Sequence, residues 1–249
     1  MSGNVLVAGA GSGLARAVAE GLARRGHGLV LAARDAAEAG RTAADLRLRF
    51  GVPATALAFE ARDAAATAAL VSRAESALPG GIEGVVVAFA EMPDQQEVER
   101  DPAVGLSMID VNVRSTMALL EAAATLLEPR PGSFLCAFSS VAGDRGRRKN
   151  YAYGATKAAL STTMEGLSAR LAPKGVTVLC VKPGPADTAM SWGLFPPSST
   201  LLARPETVAG DVLSALGRGR SVVYTPWFWR PIMAVLRALP AGVLRRLPI

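Results

Sequence analysis

The sequence predicts a doubly wound α/β fold: a single domain on a parallel sheet of about seven strands, with helices on both faces. Three observations carry that expectation. Short apolar runs alternate with Ala/Leu/Arg-rich stretches of helical period along the chain. Those runs are continuous rather than alternating, as strands covered on both faces must be. The first of them leads straight into a glycine-rich turn, Gly9-Ala10-Gly11-Ser12-Gly13-Leu14-Ala15, which opens a helical stretch.

Taken in order, the expected strands are 5–8, 29–33, 55–59, 84–89, 133–138, 176–181 and 222–224. Helical patterns fill the gaps at about 13–25, 36–50, 64–78, 103–127, 152–172 and 205–216. No linker, repeat or low-complexity tract divides the chain. Residues 1–224 read as the catalytic, nucleotide-binding domain, and 225–249 as a basic amphipathic extension. Pro and Gly cluster at 183–205, after the sixth strand. Loops at the carboxyl ends of strands hold the ligand in open α/β sheets, so a substrate lid is expected at about 185–205. An ordinary surface excursion is the alternative.

Of 249 residues, half are apolar and 19% are charged, which excludes disorder and supplies an ample core. The formal charge of +6 is placed unevenly. Arg218, Arg220, Arg230, Arg237, Arg245 and Arg246 lie in the last 33 residues, which hold no acid; residues 1–216 are therefore neutral. A basic face spread over a whole domain, as nucleic acid demands, is not what this chain carries. Trp227, Phe228 and Trp229 precede Ile232, Met233, Val235 and Leu236 beside Arg230 and Arg237, a pattern that suits a membrane surface. Packing on the core or on another subunit accounts for the same residues.

Cys136 and Cys180 lie inside apolar runs and read as reduced core residues rather than a disulfide or metal pair; no metal is expected. The N-terminus has no basic leader, and no stretch reaches the ~20 uninterrupted apolar residues of a membrane span. A cytoplasmic protein, peripheral at most, is expected.

In the glycine loop, Gly9 permits the tight turn, Gly13 lets the backbone approach a pyrophosphate, and Ala15 allows close helix–strand packing. Gly11, Ser12 and Leu14 complete the cradle at the helix N-terminus, where N–H groups and the dipole face an anion. The second strand ends Leu31-Ala32-Ala33-Arg34. An acid at Ala33 would bind the ribose hydroxyl of NAD; in its absence, Arg34 can pair with a 2′-phosphate. NADPH is therefore expected, with NADH second should Asp35 take the acid role.

Tyr153 and Lys157 stand one turn apart at the start of a helix. A free tyrosine, with pKa ~10, is a poor acid–base group near neutrality. A lysine beside it and a positive nicotinamide stabilise its phenolate, so that it can exchange a proton with a carbonyl oxygen. Ser140, at the end of the fifth strand, can bind the same oxygen. Tyr151 has Ala155 four residues on and lacks a lysine partner.

With these residues the chain resembles the short-chain dehydrogenase/reductase superfamily over nearly its full length. The resemblance implies a Rossmann-type fold, Tyr153 as the acid, Lys157 on the cofactor ribose and Ser140 orienting the substrate. It implies further that Asn112 holds a water in a proton relay to Lys157, and that Pro183, Gly184 and Thr188 lie beside the nicotinamide. Two departures stand out. The usual Asn-Asn-Ala-Gly after the fourth strand is Ala88-Phe89-Ala90-Glu91, and the acid after the third strand is Glu60, followed by Ala61. Both bear on the adenosine side.

Val87-Ala88-Phe89, the run Ser139–Arg148 and the C-terminal Trp-Arg-Pro-Ile-Met look like one branch, the decaprenylphosphoryl-2-keto-ribose reductases and their bacterial relatives. That likeness implies a keto-sugar on a polyprenyl phosphate, a flavin oxidase that makes the ketone, and a homodimer or homotetramer through 103–127 and 152–172. Arg147, with Arg145, Arg148 and Lys149 around it, is placed to meet an acidic substrate; a solvated basic loop is the alternative. Pro185 and Trp192 are the lid's candidate substrate contacts. A soluble polyketide or alicyclic ketone is the second substrate class. A cofactor-binding scaffold is disfavoured by the intact Ser140, Tyr153 and Lys157 set, and an epimerase by the lack of a separate sugar-nucleotide domain.

Overall fold

A computed structural model describes residues 3–193, 196 and 199–247. Seven strands form one parallel sheet in the order β3-β2-β1-β4-β5-β6-β7. They are β1 (Asn4–Ala8), β2 (Gly28–Ala33), β3 (Ala54–Ala58), β4 (Ile82–Val87), β5 (Phe134–Phe138), β6 (Thr177–Pro183) and β7 (Val222–Thr225). The helices are α1 (Gly13–Ala23), α2 (Ala36–Phe50), α3 (Ala64–Glu75), α4 (Gln95–Arg100), α5 (Pro102–Ile109), α6 (Thr116–Leu127), α7 (Tyr151–Leu171), α8 (Pro205–Gly217), α9 (Trp229–Ala238) and α10 (Ala241–Leu244).

Why these strands are apolar throughout is visible in β1. Val5 and Val7 join the core on one face, while Leu6 and Ala8 join the core on the other. Successive side chains point to opposite sides, so a strand covered on both faces has no polar position to spare. The first core packs α1, α2 and α8 on the sheet; the second packs α3, α6 and α7. Acidic N-caps start several helices: Asp35, Asp63, Asp94 and Asp101 each accept an N–H of the first turn.

The seven strands fall where the sequence places them, within about two residues. The region after β4 is less regular than expected. A short helix, α4, precedes α5, and a π-helical turn, Asp110–Ser115, joins α5 to α6. The run Pro102–Leu127 is long and apolar enough to cross a membrane by length and composition. In the fold, Leu119, Leu120, Ala123, Ala124 and Leu127 are fully buried, as a core helix requires. Cys136 and Cys180 are free and buried, on neighbouring strands but in opposite cores.

The C-terminal extension is more integrated than a surface appendage. Trp229 and Met233 of α9 are buried with Val141, and Arg145 Nη2 donates to Leu239 O at 3.0 Å. Trp227, in the turn before α9, and Val235 on its outer side are exposed. Residues 248 and 249 lie outside the described residues, as do 194, 195, 197 and 198 of the expected lid.

Candidate active site

The carboxyl ends of β1, β4, β5 and β6 bring the candidate residues together. Ser12 caps α1 with its Oγ, accepting Ala15 N–H at 3.1 Å, and donates to Ala88 O at 3.4 Å. The glycine loop is thereby fastened to the chain leaving β4. Gly9 has φ +88°, and a Cβ there would stand 2.7 Å from Phe89 N, so no other residue fits. Around Gly11 the space is open, with no atom within 4 Å of where a Cβ would stand. A Cβ on Gly13 would meet Thr188 Cγ2 at 3.3 Å, which brings the segment after β6 over the loop. A tight turn, an open face and a capped helix N-terminus together fit a dinucleotide pyrophosphate.

Arg34 is exposed at the end of β2 and makes no ion pair among the described residues. Asp35 is occupied as the α2 cap, accepting Glu38 N–H at 2.8 Å. The acid that would favour a ribose hydroxyl is thus engaged elsewhere, and the arginine is free to meet a phosphate.

Beyond β3, Glu60 accepts Arg62 N–H at 3.0 Å and Ala61 is buried. Phe89 packs its ring on Phe59, with centroids 5.4 Å apart. This aromatic pair holds the two loops together where the superfamily has its Asn-Asn-Ala-Gly segment. Past Ala90, Glu91 pairs with Arg62 at 2.7 Å.

Asn112 sits on the π-helical turn and is buried. It accepts Glu91 N–H at 2.8 Å, and its Nδ2 donates to Glu91 O at 2.8 Å and to Thr156 Oγ1 at 3.2 Å. The Asn112 side chain thereby clamps the β4 loop to α7. A π-turn re-aims one side chain within an otherwise continuous helix, which is why it recurs at such sites.

Ser140 leaves β5 and caps the 3₁₀ turn Val141–Asp144, its Oγ accepting Ala142 N–H at 3.1 Å. Tyr153 is buried on the first turn of α7, with its hydroxyl near Ser140. Burial pushes its phenol well above the ordinary range, and the nearby Ser140 hydroxyl opposes only part of that. Lys157 Nζ donates to Phe138 O at 2.8 Å and lies 5.6 Å from the Tyr153 ring centroid. Burial lowers its pKa to about 8. In the protein alone, burial governs the tyrosine. Both groups are desolvated, which disfavours the charged form of each.

Other predicted contacts divide. Pro183 ends β6, and Pro185 O accepts Ala203 N–H at 2.9 Å, closing the base of the 185–205 loop. Arg147 is half-buried near Asp144, and burial holds its pKa down. Trp192 stands apart, 84% exposed, and the structure does not bring it to the other site residues.

A buried triad beside the site was not foreseen. Lys182 Nζ meets Asp144 Oδ1 at 2.6 Å, and Tyr224 OH donates to Asp144 Oδ2 at 2.6 Å. A lysine inside the apolar run of β6 is the signal for it, because buried ammonium groups need a carboxylate partner. The partner lies 38 residues away, with no pattern to name it.

With this geometry in place, comparison identifies the class. The short chain dehydrogenase family model matches residues 3–198, and the chain belongs to that family of oxidoreductases. An uncharacterised oxidoreductase of Mycobacterium tuberculosis is 37% identical over 230 residues, 91% of each chain. Another from Streptomyces coelicolor is 32% identical over 99% of this chain and 96% of its own. Among solved structures, a short-chain dehydrogenase from Sphingobium yanoikuyae in complex with NADPH superposes with TM-score 0.81 at 25% identity, covering 99% and 96%. A Burkholderia cenocepacia short chain dehydrogenase in complex with NADP gives 0.81 at 25%, covering 100% and 98%.

Proposed function

We propose that this oxidoreductase reduces a ketone to a secondary alcohol with NADPH. The observation that carries the reading is one cluster: buried Tyr153 near Ser140, with buried Lys157 one turn behind and 5.6 Å from its ring. Gly9, Gly11, Ser12, Gly13 and Leu14 would hold the pyrophosphate, Arg34 the 2′-phosphate, and Pro183, Gly184 and Thr188 the nicotinamide end. When bound, NADPH supplies the hydride. The protein's own part is the proton. Burial keeps the Tyr153 phenol neutral, so it has a proton to give to the carbonyl oxygen. Ser140 orients that oxygen, and cationic Lys157 stabilises the phenolate left behind. NADP-bound neighbours and the exposed Arg34 support NADPH over NADH.

For the substrate, the half-buried Arg147 and the branch likeness support a keto-sugar on a polyprenyl phosphate, made by a flavin oxidase partner. The 185–205 loop, tied at its base by the Ala186–Ala203 bridge, serves as its lid. The outer side of α9 and the turn before it, with Val235 62% and Trp227 75% exposed beside Arg230 and Arg237, is the surface for a membrane. Leu106 and Ile109, exposed on α5, support self-assembly there.

The test is NADPH oxidation against a panel of ketones, polyprenyl-phosphate keto-pentoses included, with and without detergent. Turnover of a keto-pentose above simple alicyclic ketones supports the reading; turnover of alicyclic ketones alone assigns the soluble class. Sedimentation with anionic vesicles, lost in a Trp227→Ser/Val235→Ser variant, tests the membrane surface.

A further inference from the structure

The C-terminal helix packs on the residue after Ser140 and on the end of β6. On α9, Trp229 is 8% exposed and Met233 is fully buried, both packed with Val141, the residue after Ser140. The indole lies across Gly184: a methyl group added there would overlap Trp229 Nε1. Gly184 in turn donates its N–H to Thr225 O at 3.0 Å, so the end of β6 and the approach to α9 are one unit. Arg145 fastens the far end of α9 to the loop between Ser140 and Tyr153.

Trp229 Nε1–H is buried and meets no acceptor among the described residues. Buried polar groups are almost always paired, so a donor left over beside a ligand cleft is a candidate for pairing with the ligand. The other buried side-chain nitrogens in that condition are Gln95 Nε2, Arg145 Nε and Arg147 Nε. They too border the catalytic set. Gln95 accepts the N–H of Ala152, next to Tyr153, and the two arginines lie between Ser140 and Tyr153. Unpaired donors on several segments next to Ser140 and Tyr153 in the chain match a ligand rich in oxygen acceptors.

We propose that Trp229 donates its indole N–H to a carbonyl-type oxygen of the molecule held beside Gly184, which makes the C-terminal helix part of ligand recognition. The proposal rests on the ketone-reductase reading above. Two oxygens share the required chemistry: the carboxamide oxygen of the cofactor and an oxygen of the substrate. Glycine at 184 allows the approach, because any side chain would displace the indole. Phenylalanine at 229 keeps an aromatic ring and deletes only the donor.

The chain has three tryptophans, Trp192, Trp227 and Trp229, so protein labelled with ¹⁵N-tryptophan gives at most three indole cross-peaks by NMR. Trp229→Phe assigns the third, and Trp192→Phe/Trp227→Phe leaves it alone in the spectrum without altering residue 229. Added 2′-phospho-ADP-ribose, which has no nicotinamide, should leave the Trp229 peak in place. A downfield move on adding NADP⁺ assigns the carboxamide. A move only when the fastest ketone of the panel joins the NADP⁺ complex assigns the substrate. In the first case Trp229→Phe should bind NADPH about tenfold more weakly, with 2′-phospho-ADP-ribose affinity unchanged; in the second, KM for the ketone should rise about tenfold. A Trp229 peak that ignores both ligands, or a Trp229→Phe protein that loses both cofactor fragments equally, overturns the proposal. Failure of the wild-type protein to bind NADPH at all would instead overturn the cofactor reading.

Discussion

Lys157 Nζ lies 5.6 Å from the Tyr153 ring centroid and donates to Phe138 O at 2.8 Å. The main chain at the end of β5 thus aims the ammonium at the tyrosine one turn before it. The pKa of about 8 has a kinetic consequence. Proton delivery requires Tyr153 protonated and Lys157 charged, and Lys157 is the first of the two to deprotonate as pH rises. For ketone reduction, kcat/KM should hold below pH ~8 and fall above it, since this parameter reports the free enzyme. Lys157→Arg keeps a charge across that range and should remove the alkaline limb at lower overall activity. A limb unchanged in the variant would assign it to another group.

Arg34 stands exposed while Asp35 caps α2 through Glu38 N–H. Arg34→Ala should weaken NADPH binding by ~10- to 100-fold, the size of one lost charge-assisted hydrogen bond, and leave NADH nearly untouched. Calorimetric titration with both cofactors checks this. Equal losses for the two would refute the phosphate contact.

Gly9→Ala puts a methyl group 2.7 Å from Phe89 N on a residue with φ +88°. The strain should cost ~1–3 kcal/mol of stability and displace the loop. Chemical denaturation measures the first effect and NADPH titration the second. Gly11→Ala, in open space, should retain stability and lose only cofactor affinity.

Asp144 is the shared anion of Lys182 and Tyr224, and the ion pair is buried. Asp144→Ala should cost ~3–5 kcal/mol, because it strands a buried ammonium. Adding Lys182→Met should recover much of that loss. Denaturation of the single and double variants decides it; additive losses would mean the two side chains are not coupled.

The strands, the glycine loop and the Tyr153/Lys157 pair were legible because each is a local pattern: a continuous apolar run, a turn chemistry, one helical turn. Asn112 was legible as a residue but not as a clamp, since its partners Glu91 and Thr156 lie 21 and 44 positions away. Trp229 shows the limit most clearly. Beside arginines and aliphatics it reads as part of a membrane-facing stretch, and its own periodicity is that of an amphipathic helix. Which face of that helix turns inward depends on Gly184 and Val141, which lie far from it in sequence. Truncation after residue 224 would therefore uncover Val141 and Gly184 as well as remove any membrane contact.

The central claim is that Tyr153 delivers the proton while Ser140 and Lys157 support it. Tyr153→Phe keeps the ring beside Lys157 and removes only the hydroxyl. Turnover of the best ketone with saturating NADPH should fall by at least ~10²- to 10⁴-fold, while NADPH affinity stays within about twofold. Turnover near the wild-type rate in that variant would contradict the account.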